Sequence, residues 1–146
     1  MEQALEQARL AEQRGEVPIG AVLVSSTGDL LAADGNRIVE LKDPTAHAEM
    51  NVIRSASKIL QNERLDGCDL YITLEPCAMC AQAISLARIR RVYFAADDPK
   101  GGGVHYGSRV FSHPTCHHKP EVYDGIKADE AQALLKDFFA KKRKAE

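Results

Sequence analysis

His47, Glu49, Cys77 and Cys80 are the residues of this chain whose types and spacing could do chemistry together. One imidazole and two thiols make three soft ligands, one fewer than a structural zinc site uses. A zinc ion bound by them would keep its fourth position open for water. Glu49, two residues from the histidine, would then carry protons rather than ligate. Cys77 and Cys80 follow Pro76 and stand three positions apart. At the start of a helix that spacing points both thiols the same way, and the positive helix end favours thiolate, the form that binds zinc. Zinc-bound water loses a proton near neutral pH. Glu49 could accept that proton, hand it to a ring nitrogen and later deliver one to a departing amine. This is hydrolytic deamination, and it needs no organic cofactor.

Each fragment alone has a plainer reading. A single Cys-x-x-Cys in a reducing compartment could be a redox pair. A structural zinc would need a fourth protein ligand from Cys68, Cys116, His113, His117 or His118. Cys68 sits beside an apolar strand and reads as a small core residue. Residues 116–118 read as a polar loop, with a second metal site as the alternative. Positions 47 and 49 fall on nearly opposite sides of an ideal helix, so His47 must lie at the very start of its helix, with Thr45 expected as the cap. Taken together, the fragments form the H-x-E…P-C-x-x-C pattern of zinc-dependent nucleobase deaminases.

The surrounding elements must bring those fragments together. Leu5, Ala8 and Ala11 make a helical stripe over residues 2–14, capped by Gly15. Ala21–Val24 and Leu30–Ala33 flank the turn Ser26–Asp29, a hairpin pattern closed by Gly35 and Asn36. Asp43-Pro44-Thr45 supplies cap chemistry for a helix carrying Met50, Ile53 and Leu60. Leu70–Leu74 is a strand by composition, Pro76 suits the first turn of a helix reaching about Ala87, and Arg91–Ala96 is a second strand. Strand, helix, strand with short joins predicts parallel strands with helices packed on the sheet. The stretch Asp97–Pro120 is long for a structureless loop and should hold a short helix. Glu121–Tyr123 suits a last strand. A final helix from Ala128 to about Lys142 presents Ala131, Leu134, Leu135 and Phe138.

A length of 146 residues suits one domain spanning residues 1–146, and 45% hydrophobic with 27% charged residues is an ordinary globular mix. No apolar run approaches a membrane span. The acidic, amphipathic start lacks the basic region of a signal peptide, so a cytoplasmic location is expected, where thiols stay reduced. The net charge of −2 gives no sign of a nucleic-acid partner. Arg88, Arg90 and Arg91, and the closing Lys141-Lys142-Arg143-Lys144, could still form local phosphate-binding patches, or be solvated turns and helix ends.

The chain resembles the bacterial tRNA-specific adenosine deaminases nearly end to end. The resemblance rests on Gly15–Val22, on Asp43-Pro44-Thr45-Ala46-His47-Ala48-Glu49, and on Leu70–Cys80. It continues through Arg88–Val92 and Leu134–Phe139. It implies conversion of adenosine to inosine at the wobble position of a tRNA anticodon. The implied fold is cytidine-deaminase-like: a three-layer α/β/α arrangement with a central five-stranded mixed sheet, as a homodimer. It implies one zinc ion per subunit on His47, Cys77 and Cys80, with Glu49 as the proton shuttle. It also implies that Asn36 hydrogen-bonds the flipped base, although the residues alone read as a turn asparagine beside Gly35. Val17, Pro18 and the backbone around Ala48 would line the base pocket, and Asp98 and Lys100 would begin the loop that contacts the anticodon stem-loop.

Gly101–Tyr106 departs from the small-residue loop of that family, and it lacks the spacing of a nucleotide-binding fingerprint. The alternative function is deamination of a free base or nucleoside (guanine, cytosine or adenosine), which the same zinc and glutamate would serve. Phe138 and Phe139, followed by basic residues, favour RNA because aromatics stack on bases. Core packing is the competing reading of both, and Phe138 fits the inward stripe. A non-catalytic zinc or RNA-binding module is the other rival, and it has no use for Glu49.

Overall fold

Helix α1 (Glu2–Gln13) buries Ala4, Leu5, Ala8 and Ala11 and ends at Arg14. Gly15 follows at φ +83°, the left-handed turn that glycine adopts without strain. Strands β1 (Gly20–Val24) and β2 (Leu30–Gly35) form the expected antiparallel hairpin. A short helix, α2 (Ile38–Leu41), adds to the expected elements. Then come α3 (Ala48–Leu60), β3 (Asp69–Leu74), α4 (Ala78–Leu86) and β4 (Arg91–Ala96). The long stretch after β4 carries a 3₁₀ turn at Val110–Ser112, as its length predicts. β5 (Glu121–Asp124) and α5 (Ala128–Ala145) close the chain. This computed structural model describes residues 1–145; Glu146, the last residue of the domain expected over residues 1–146, lies outside the described residues.

The five strands run in the order β2-β1-β3-β4-β5. β1 is antiparallel to both neighbours, while β3, β4 and β5 are parallel. The sheet is therefore mixed, and helices cover both faces. Leu70, Ile72, Val92 and Phe94 pack against Val52 and Ala56 of α3 and Ala81 and Ile84 of α4. On the other face Ala95 packs with Leu5 of α1 and Ala131 of α5. Alternate residues of one strand thus serve two cores, which makes the three-layer α/β/α arrangement.

Two further features tie the parallel strands together. Tyr71, Tyr93 and Tyr123 stack in a row across β3, β4 and β5, with ring centroids 4.6 and 5.1 Å apart. Arg90 forms a two-pronged bond to the Asp69 carboxylate at 3.1 and 2.9 Å, and Arg91 pairs with Glu121 at 3.1 Å. These two arginines stitch strand starts rather than forming a free basic patch.

Helix α1 lies close on the hairpin because Gly20 has no side chain. A Cβ there would overlap the Ala4 carbonyl and the Ala8 amide and stand 2.8 Å from the Gln7 Cβ. Backbone cannot yield as a side-chain tip can. Gly20→Ala should therefore lower folding stability by about 1–3 kcal/mol, read as a lower denaturation midpoint. A midpoint equal to that of the parent protein would refute this packing account.

Candidate active site

Two helix starts meet at the C-terminal edge of β3. His47 is the N-cap of α3, with φ −68° and ψ 152°, and Cys77 is the N-cap of α4, with φ −71° and ψ 175°. Both expectations for these starts shift by a residue or two. Thr45 is not the cap: the Asp43 carboxylate accepts hydrogen bonds from the Thr45 amide at 2.9 Å and its hydroxyl at 2.7 Å. That local turn delays the helix to Ala48. Pro76 likewise precedes the cap rather than occupying the first turn. Extended backbone at His47 frees its side chain from helical periodicity, so His47 and Glu49 line one cavity although they are two residues apart.

The His47 Nδ1 lies 3.7 Å from Cys77 Sγ and 3.6 Å from Cys80 Sγ. A tetrahedral zinc with ordinary bond lengths holds sulfur and nitrogen ligands roughly 3.5 Å apart, so this donor set fits zinc with little rearrangement. Cys80 is buried and Cys77 half-buried. The Cys77 thiol is pushed down to about 4, first by the hydrogen bond from Cys80 and then by His47. Cys80 is raised in turn because it holds the proton the pair shares, and because it is buried. His47 is raised, chiefly by its contact with the Cys77 sulfur. Glu49 is 4% exposed, and burial pushes its carboxyl up to about 7. A carboxyl poised there can both take and give a proton near neutral pH.

These groups open into a cavity of about 240 Å³ that Ile19, Asn36, Leu74, Asp98 and Gly101 help to line. Asn36 is buried, and its Oδ1 accepts the Ala48 N–H at 2.9 Å. The asparagine thus does the capping that the His47 side chain does not do for α3, and its NH₂ remains to donate. The Ala48 amide is spent on that bond. A second cavity of about 500 Å³ adjoins the first and shares Ile19, Leu74, Asp98 and Gly101 with it. Val17, Lys100 and the exposed Phe139 line this outer groove. Pro18 is buried and lines neither cavity.

Cys68 sits in the main core, as its sequence context suggests. Cys116 is buried beside Ser85 Oγ at 3.4 Å and donates to the His118 carbonyl, while the His118 ring bonds the Ile89 carbonyl at 2.7 Å. The 116–118 stretch is therefore an anchored loop. Among the described residues, no group of potential metal ligands includes Cys116, His117 or His118.

Two buried glutamates near the site received no role from sequence reasoning. The Glu16 carboxylate accepts the Val39 and Glu40 amides at 3.1 and 2.8 Å, capping the start of α2. Glu75 accepts four amides of the loop beyond β4. The one sequence signal for Glu75 is a charged residue closing an apolar strand directly before the cysteine motif.

Residues 1–96 match the family model of the cytidine and deoxycytidylate deaminase zinc-binding region. A tRNA-specific adenosine deaminase of Agrobacterium fabrum is 59% identical over 143 residues, covering 98% of this chain and 93% of that protein. A chain solved in structural studies of A-to-I editing by tRNA:A34 deaminases superposes with a TM-score of 0.90 at 60% identity, covering 92% of this chain and 97% of that one. A guanine deaminase from Nitrosomonas europaea superposes with a TM-score of 0.76 at 26% identity, covering 95% and 82%. With zinc-ligand geometry, a buried carboxyl beside it and near-complete coverage at this identity, the chain belongs to the tRNA-specific adenosine deaminases of the zinc-binding cytidine and deoxycytidylate deaminase family.

Proposed function

We propose that this protein hydrolyses adenosine to inosine at the wobble position of a tRNA anticodon, releasing ammonia. The observation that carries the reading is the His47–Cys77–Cys80 cluster with Glu49 buried beside it, in a chain 59% identical to a tRNA-specific adenosine deaminase. His47, Cys77 and Cys80 would hold one zinc ion per subunit, which supplies the Lewis acidity that makes water nucleophilic near neutral pH. Glu49 takes the proton from that water and places it on the ring nitrogen beside the amine-bearing carbon. The hydroxyl left by that water adds to the amine-bearing carbon, and Glu49 then carries the hydroxyl's proton to the amine, so that the C–N bond breaks, ammonia leaves and a carbonyl remains. Burial of Glu49 suits both directions of transfer near pH 7. Asn36 donates from its NH₂ to the base and holds it over the cluster.

The outer groove supports an RNA substrate over a free base. It runs directly on from the catalytic cavity, with Phe139 41% exposed along it and Lys100 on its wall. Such a surface can stack and neutralise nucleotides flanking a flipped base. The wider reading is a single deaminase domain over residues 1–146, acting in the cytoplasm on the anticodon stem-loop as a homodimer. Ile59, Leu60 and Leu86, exposed on α3 and α4, are the surface a second copy would cover. No helix is long and apolar enough to cross a membrane among the described residues.

The direct test offers the purified protein an anticodon stem-loop with adenosine at the wobble position, alongside free adenosine, adenine, guanine and cytosine. Inosine should form in the stem-loop alone; conversion only of a free base or nucleoside would overturn the RNA reading. Glu49→Gln should keep its zinc and lose turnover by about 10²–10⁴-fold, and near-normal turnover would remove Glu49 from the proton path. Cys77→Ala should be depleted of zinc by elemental analysis; a full complement of metal would show that Cys77 is not a ligand.

A further inference from the structure

The 98–106 loop forms one side of both cavities, and four backbone amides of this loop converge on one buried side chain. Glu75 is 3% exposed and lies between the last residue of β3 and Pro76. Its Oε1 accepts the Asp98 amide at 3.2 Å. Its Oε2 accepts the amides of Val104, His105 and Tyr106 at 3.1, 3.0 and 3.2 Å. Every one of these contacts is a donor, which matches an acceptor-only carboxylate. Glu75, Asp97 and His105 place potential ligand atoms within 4.8 Å of one another, but the Glu75 oxygens are taken up by the backbone and are not free for a cation.

The glycines make this grip possible. A Cβ on Gly102 would overlap Glu75 Oε2 and come within 2.6 Å of the Asp98 carbonyl. A Cβ on Gly103 would come within 2.5 Å of the Ala78 amide and 2.7 Å of the Cys77 carbonyl carbon. The loop can therefore press against both the carboxylate and the start of α4, and the Gly103 amide donates to the Pro76 carbonyl at 2.8 Å. Val104 of the loop packs in the main core, and the His105 ring meets the buried Phe94 edge-on with ring centroids 5.1 Å apart; the ion contacts of the loop are exposed. The His105 ring lies 3.7 Å from Asp97 and 3.6 Å from Asp124, and such surface pairs contribute little. The internal carboxylate is the restraint that gathers four of the loop's amides at once.

We propose that Glu75 is a positioning residue for RNA recognition. By gathering the four amides it sets the path of the 98–106 loop, and so fixes where Asp98, Lys100 and Gly101 meet the nucleotides around the reacting adenosine. The loop lines the cavities but supplies no zinc ligand and no proton carrier. Loosening it should weaken capture of the RNA and leave the chemical step intact. This inference rests on the proposed RNA substrate.

The test compares the zinc-loaded parent enzyme with Glu75→Gln and Glu75→Ala on the anticodon stem-loop. Glutamine is isosteric and can keep an oxygen on the three-amide side, but it turns an NH₂ toward the Asp98 amide. Alanine removes both sides. KM should rise in the order Glu, Gln, Ala, reaching about 10- to 100-fold for alanine. In both variants kcat should stay within about threefold of the parent and zinc content should be unchanged. A parent-like KM in both variants overturns the proposal. So does a fall in kcat at constant KM, or loss of zinc from the glutamine variant. If the parent itself does not convert the stem-loop, the RNA reading fails and the proposal falls with it. A parent that converts it beside variants of unchanged KM sinks the proposal alone.

Discussion

Two helices begin at one point, and most of the site follows from that. A helix start exposes amide donors and the positive end of the dipole, and two of them face to face favour negative charge between them. Cys77 meets that demand as a thiolate, held down to about 4 by Cys80 and His47. The same field would stabilise the anionic partners of a bound metal. The arrangement also has a local cost. His47 and Cys77 stand at the cap positions and make no side-chain cap bond to their own helices. A cap residue ordinarily satisfies an amide with its own oxygen. Here Asn36, brought in from the end of the hairpin, accepts the Ala48 amide instead. The cap position of His47, whose ring faces the cysteines, and the buried position of Asn36 are thus two sides of one constraint.

The second constraint concerns the loops around that point. Loops carry backbone amides that must find partners once they pack against a core. The loop beyond β4 is satisfied from inside the protein by the buried carboxylate of Glu75, and the free amides at the start of α2 are satisfied in the same way by Glu16. Both glutamates are nearly inaccessible to water. An acceptor that gathers several amide donors is stabilised by them without a buried cation. The walls of the cavity are therefore as firmly placed as its floor, although they contain little regular structure.

The sequence carried the elements and the chemistry well, because both are written in local patterns. The stripe of Leu5, Ala8 and Ala11, the hairpin turn at Ser26–Asp29 and the strand-helix-strand order around Cys77 depend on residues a few positions apart, and each lies in the structure where its pattern predicts. What escaped is one competing local bond and several contacts between distant residues. Thr45 reads as a cap in isolation, and only the hydrogen bonds it makes to Asp43 move the helix start to Ala48. Gly101-Gly102-Gly103 reads only as a loop that departs from the family pattern, yet Gly102 and Gly103 are buried and press on Glu75 and on the Cys77–Ala78 backbone. Glu75 itself bonds amides 23 to 31 positions away. No periodicity spans that separation, so its role emerges only from the folded chain.

Separating floor from walls also explains how one architecture can serve more than one base. The floor is built from the starts of α3 and α4, which the main core holds through Val52, Ala56, Ala81 and Ile84. It presents the same ligands and carboxyl whatever lies above it. The walls come from the 15–20 and 98–106 segments and from Phe139 on α5; they supply none of the His47, Cys77 and Cys80 donor atoms, although Gly103 presses on the Cys77–Ala78 backbone. A guanine deaminase superposes at only 26% identity with a TM-score of 0.76, so the fold persists through wide sequence change. Function lives in the site rather than the fold. In this chain the walls leave an outer groove that runs on from the cavity, floored by Leu74 and edged by Lys100 and Phe139. Phe139 lines only the outer groove, whereas Asn36 and Glu49 line only the inner cavity, so the two are separate surfaces joined through Ile19, Leu74, Asp98 and Gly101.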